Sequence, residues 1–293
     1  MRMRSAVACL ESFTRIAPQS RFPELREMLP TLAQLLYTLD EETLTHSLTA
    51  LAALSDPGPI SDRSHIQSII EWGVSRRVVE LLMHKTIPVK TAALAVVVHL
   101  TRGDDVQRQV LLNCSVLPCL LSLLVHAKRV IRLRACVVLS HICLGNVDQI
   151  GMVVDANIIP PLMYILRNGE SEVQRAALAA ISRILTRGSD PQVRYLVNQD
   201  AIGALCPLLT GRDCDVILLA LDGLESILRV GAQDAHAYCG NDDNQYATMV
   251  EECGGMDSIE SLQVHETEEI YKKAGSILRI CSNANAEVEE TEE

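Results

Sequence analysis

Aromatic side chains are nearly missing from this chain: two phenylalanines, six tyrosines and one tryptophan make up 3% of 293 residues. A β-sandwich draws on aromatic and β-branched strand residues, so the shortage argues against that architecture. Apolar mass is nevertheless high, at 48%, and comes from Leu, Ile, Val and Ala. Stacked helices with small contact residues have this composition. No apolar run reaches the ~20 residues that a bilayer span needs. The start, Met-Arg-Met-Arg-Ser-Ala-Val, has no signal-peptide core. The reading is of an intracellular chain without a membrane partner.

Catalytic signatures are missing too. There is no G-x-x-x-x-G-K-[ST] phosphate loop, no H-E-x-x-H, no G-x-S-x-G and no G-x-G-x-x-G. His265-Glu266 has no second histidine at helical spacing and reads as a solvated pair. Ten cysteines are present, but no C-x-x-C pair and no zinc-module spacing. They read as reduced, mostly buried small hydrophobes. The expectation is therefore no enzyme, no metal and no cofactor.

A basic surplus is the next absence. Residues 1–233 hold 22 acidic and 23 basic residues, a net of +1, and residues 234–293 hold 15 and 3, a net of −12; together they give the −11 of the chain. Nucleic acid is not an expected partner of such an acidic C-terminal end. Glu287, Glu289, Glu290, Glu292 and Glu293 read as a disordered tail over 283–293.

What the chain does have is repetition. Leu36, Leu82, Leu124, Leu166 and Leu209 close five similar phrases at steps of 46, 42, 42 and 43 residues, and Gly103, Gly145, Gly188 and Gly231 keep the same period. A period near 42 is that of helical armadillo or HEAT repeats, in which each unit buries its apolar face only against its neighbours. Within 105–145 the pattern predicts helices at about 106–113, from Pro118 to Leu124, and at 131–144, the last ended by a left-handed cap at Gly145. Three helices per unit favour armadillo: an all-α, right-handed solenoid over residues 1–282. Its units fall at 29–58, 75–103, 106–145, 148–188, 191–231 and 246–282, with a partial unit at 1–18 and a polar loop from Asp234 to Gln245. In the third helix of 106–145, most of Leu133, Cys136, Val137, Ser140 and Cys143 read as core, and Arg134, Val138 and His141 as the face shown to the groove or to solvent.

The last unit, VEECGGMDSIESLQVHETEEIYKKAGSIL, closely resembles the C-terminal armadillo repeat of importin-α. GDDVQRQVLLNCSVLP, ACVVLSHICLGNVDQI, VQRAALAAIS, YLVNQDAIGALCPLL and LALDGLESIL resemble phrases of that family in the same order, so the likeness covers about residues 8–282. It implies an adaptor of nuclear protein import, moving between cytoplasm and nucleus, that takes basic nuclear localisation signals of cargo proteins in its concave groove. In that family a Trp and, one turn later, an Asn line the groove on each third helix. The matching Asn positions here are Ser12, Ala53, His99, His141, Arg183 and Ser226; the matching Trp positions are Ala8, Thr49, Ala95, Val137, Ala179 and Asp222. None keeps the family residue, so cargo affinity should be weak. The alternative is an armadillo scaffold or decoy that keeps C-terminal partners without cargo, and a third reading is a non-functional fragment.

The resemblance also assigns single residues. Glu225 matches an acidic residue of the family's smaller signal-binding site, whereas Arg183 would repel a lysine ligand. His99 and His141, one repeat apart, would gain positive charge on protonation and favour an acidic ligand at low pH. Trp72 aligns with a connector and reads as packing at a repeat junction. The Arg-rich segment through which the family binds importin-β has no counterpart before Arg4, so that contact and the autoinhibition it brings are not expected. At the C-terminal end Glu251, Glu252, Glu268, Glu269 and Tyr271 fall where the family meets its export factor and a nucleoporin; a terminal repeat that needs polar residues for solubility would look the same.

Overall fold

The computed structural model describes residues 7–8, 11–12, 26–56, 64–239 and 244–289; they form helices joined by short turns, and no strand occurs among them. The chain divides into two compact units, residues 1–145 and 146–293. In the first, α1 (Leu29–Leu35) and α2 (Glu41–Ser55) are followed by two complete three-helix repeats. These are α3 (Ser64–Glu71), α4 (Val74–Leu81) and α5 (Ile87–Leu100), then α6 (Asp105–Asn113), α7 (Val116–Leu124) and α8 (Arg129–Ile142). The second unit holds α9 (Val147–Asp155), α10 (Ile159–Asn168) and α11 (Ser171–Arg187), then α12 (Asp190–Asn198), α13 (Ala201–Leu205) and α14 (Cys214–Asp234), and last α15 (Gln245–Glu252), α16 (Gly255–Ser261) and α17 (Glu268–Glu289).

The leucine ladder is core at every rung: Leu36, Leu82, Leu124, Leu166 and Leu209 are at most 2% exposed. Each ends a second helix where it turns into the third, and burying a leucine contributes about 1.5–3 kcal/mol. The glycine ladder has a different cause from the one expected. Gly145 is not left-handed. Three of the four glycines leave room for a polar side chain: a Cβ on Gly103 would strike Gln107 Oε1, on Gly188 it would lie 2.8 Å from Gln192 Oε1, and on Gly231 it would strike Asn244 Oδ1. Gln107 and Gln192 belong to capping boxes with Asp104 and Ser189 that start α6 and α12. Each box satisfies backbone donors that a helix start leaves open.

Left-handed residues sit instead at the elbow between first and second helices: Gly73, Ser115, Asn157, Asp200 and Gly254, with φ from 56° to 70°. The first four are 42, 42 and 43 residues apart, a third ladder in phase with the other two.

Three boundaries differ from the sequence reading. The repeat placed at 75–103 begins at α3, whose Ile66 and Ile69 are fully buried. The expected loop from Asp234 is helical through a π turn at Ala235–Cys239. The last helix runs to Glu289, seven residues past the expected end at 282, because no Gly or Pro follows Gly275 to stop it. Residues 290–293 and most of the partial unit at 1–18 lie outside the described residues. Trp72 lies at the elbow inside a repeat, between α3 and α4, and is 47% exposed rather than packed at a junction. Among the cysteines, Cys136, Cys143 and Cys206 are buried, but Cys114, Cys119, Cys214 and Cys281 are half-buried and Cys253 is exposed.

Candidate functional site: the third-helix face

In each unit the third helices pack side by side, α2 on α5 on α8 in the first and α11 on α14 on α17 in the second. The register of their open face is constant. Thr49 and Ala53, Ala95 and His99, Val137 and His141, Ala179 and Arg183, Asp222 and Ser226 are all half-buried, while most of their helix neighbours are buried. Two residues four apart share a helix face, so each pair forms one step of a stripe. One assignment is corrected: Val138 is fully buried and Val137 and Leu133 are not. At 100° per residue the stripe runs Arg134, Val137, His141, and Val138 falls behind it. Of the N-terminal pair, Ala8 is half-buried and Ser12 is exposed, its hydroxyl donating to Ala8 O at 2.9 Å.

The first unit's stripe mixes small apolar residues with Thr49, Arg134 and two tethered histidines. His99 Nδ1 lies 2.9 Å from Ala52 O and 3.2 Å from Ser55 Oγ on α2. His141 Nδ1 lies 3.2 Å from Thr101 Oγ1, at the end of α5. Both rings therefore reach back to the preceding repeat instead of standing free. Burial pushes the His99 pKa below its ordinary value, helped by Arg102 and Arg134, although the Ala52 carbonyl and Asp56 pull the other way. Protonation of His99 is therefore harder than that of a free imidazole. Arg134, one turn before His141 on the stripe, ties α8 to α5 by donating to Thr91 O at 2.7 Å.

The second unit's stripe is charged. Lys273 of α17 places its ammonium 2.7 Å from Asp222 Oδ1 and 2.9 Å from Glu225 Oε2, both on α14. Ser276 Oγ donates to Glu225 Oε1 at 2.9 Å, and Arg229 lies 3.4 Å from the same oxygen. Burial opposes ionisation of Glu225, but the bonds from Lys273 and Ser276 and the charges of Lys273 and Arg229 win and hold its carboxyl below the usual range. Burial likewise opposes the Lys273 charge, and its two carboxylate partners outweigh it, so the pKa rises. Glu225 and Asp222 were legible in the sequence; Lys273 and Ser276 were not. The only cue was that the pairs Asp222/Glu225 and Lys273/Ser276 have one helical turn in common as spacing.

At the C-terminal end Glu251, Glu252, Glu268, Glu269 and Tyr271 are all exposed. Val264 beside them is 88% exposed. Glu268 pairs with Lys272 at 2.6 Å. Among the described residues no three His, Cys, Asp or Glu side chains converge as a metal site would require.

Comparison with known proteins fits this geometry. The Armadillo/beta-catenin-like repeat family matches residues 146–186, and the Atypical Arm repeat family matches residues 244–280. Importin subunit alpha-1b of Oryza sativa subsp. japonica is 40% identical over 277 residues, which is 94% of this chain and 51% of that protein. Importin subunit alpha-B of Dictyostelium discoideum is 44% identical over 276 residues, 94% of this chain and 52% of its own. The chain is an armadillo-repeat homologue of the importin-α subunits. It spans about half the length of these relatives. Among solved structures, a designed armadillo repeat protein superposes with a TM-score of 0.76 at 27% identity, covering 86% of this chain and 99% of its own. Another, in complex with the peptide (KR)4, has a TM-score of 0.75 at 26% identity over 86% and 98%.

Proposed function

We propose that this chain is a peptide-binding adaptor of nuclear protein import, which receives extended cationic segments of cargo on its third-helix face and moves between cytoplasm and nucleus. The observation that carries the reading is the Asp222–Glu225 pair, which already holds a lysine ammonium at 2.7 and 2.9 Å. That is the chemistry a lysine-rich signal needs. The (KR)4 peptide bound by a structurally similar designed protein supports the same class of ligand. Affinity is weak, because an aromatic anchor is worth about 2 kcal/mol or more and several are replaced at once, a loss on the order of a hundredfold at least.

The exposed acidic residues Glu251, Glu252, Glu268 and Glu269 with Tyr271 serve as the docking surface for the export factor and nucleoporin of the pathway. A second reading, a scaffold without cargo binding, draws support from the tethers at His99 and His141 and from the occupied Glu225 carboxylate. Titration of a labelled monopartite Lys-rich peptide, beside the rice alpha-1b relative, separates the two. Weak saturable binding supports the adaptor, affinity equal to the relative overturns the weak-binding claim, and no binding leaves the scaffold.

A further inference from the structure

We propose that Lys273 is the resident occupant of a cation site built by Asp222 and Glu225, and that a guest lysine or arginine enters only by displacing it. This rests on the reading of the third-helix face as a peptide surface, and adds to it an internal competitor. Asp222 and Glu225 lie three residues apart on α14 and face the same way; Lys273 approaches from α17 and bridges both. Ser276, one turn beyond Lys273, orients Glu225 by donating to its other oxygen. With Arg229 at the rim, two carboxylates meet two cations, so an arriving peptide finds no net negative charge. The lysine is not locked in: its side chain is 28% exposed and that of Asp222 36%, so rotation about the flexible stem opens the site without unfolding. An attached competitor acts at an effective concentration of about millimolar, enough to suppress a ligand of similar or weaker affinity. Removing the lysine charge leaves one uncompensated carboxylate and the space of its stem.

The test is anisotropy of a fluorescent (KR)4 peptide with wild type, Lys273→Gln, Lys272→Gln and the triple variant Asp222→Asn/Glu225→Gln/Lys273→Gln, each checked by thermal melting. Lys272→Gln removes the same charge from an exposed side chain whose ion-pair partner among the described residues is Glu268. The expected result is an affinity gain of about tenfold in Lys273→Gln, less than about twofold in Lys272→Gln, and none in the triple variant, since one uncompensated charge at close range is worth about a factor of ten. Should Lys273→Gln fail to melt cooperatively, Lys273→Met keeps the stem and takes its place. Wild-type binding with no gain at position 273, or the same gain at 272, overturns the internal competitor alone. No peptide binding by any of the four proteins overturns the peptide surface and the competitor together.

Discussion

His99 Nδ1 lies 2.9 Å from the carbonyl oxygen of Ala52, one repeat earlier in the chain. The ring is thereby a strut between α5 and α2, and its burial makes it a pH-dependent one. The His99 pKa is lowered in the folded state, chiefly by burial. Its contribution to stability is full above the ordinary histidine value of about 6.5 and is lost as pH falls through the folded value. Thermal melts between about pH 7.5 and 5.5 should show a fall in Tm for wild type that is shallower in His99→Gln. Parallel curves for the two proteins would remove the strut from the account.

Gly188 and Gly275 should respond oppositely to alanine. A Cβ at Gly188 lies 2.5 Å from Ile184 O and displaces Gln192 from the cap of α12, whereas a Cβ at Gly275 meets nothing within 4 Å in mid-helix. Gly188→Ala is expected to cost about 1–2 kcal/mol and Gly275→Ala to add about 0.5–1 kcal/mol, read from urea midpoints at unchanged slope.

On the first unit's stripe, Val137→Trp with His141→Asn reinstates the pair that importin-α uses. An indole beside a peptide lysine contributes about 0.5–2 kcal/mol, so a Lys-rich peptide should bind roughly three- to thirtyfold more tightly. Equal affinity in the double variant and wild type would mean that residues 137 and 141 do not line the peptide path. The half-buried state of both argues that they do.

Charge reversal at Glu251, Glu252, Glu268 and Glu269 tests the C-terminal surface. All four are exposed, and only Glu268 pairs locally, with Lys272. Stopped-flow association with the export factor should slow and lose its salt dependence, while Tm shifts by no more than a degree or two, since surface pairs contribute about 0.2–1 kcal/mol. Unchanged association rates would assign these residues to solubility alone.

The repeat architecture was legible because its signal is redundant: five leucines at one period all proved buried, and the family phrases lay in order. Helix ends were legible in part. The phrase Gly-Asp-Asp-Val-Gln around Gly103 spells a capping box, and the glycine makes room for the glutamine of that cap. The elbow residues Asn157 and Asp200 belong to types that tolerate positive φ, and Ser115 does not stand out from sequence at all. Most of the residues expected on the face lie half-buried on the third helices, but their partners were not legible. Whether His99 stands free or reaches Ala52 depends on the offset between adjacent third helices, which no single repeat records. The same holds for Lys273, which meets Glu225 only because α17 packs against α14.

The elbow ladder also says where this chain can change length. From Gly73 to Asp200 the left-handed residues keep step, and then Gly254 arrives 54 residues after Asp200. The surplus is shared between α14, which has 21 residues against 14 in α5 and in α8, and the longer connector from α14 to α15. Connectors between repeats thus behave as splice points, and elbows as fixed joints. A flexible graft placed between Cys239 and Asn244 would leave both neighbouring repeats folded, while a single residue added beside Asn157 would rotate α10 out of its bed and take Leu162 and Leu166 with it.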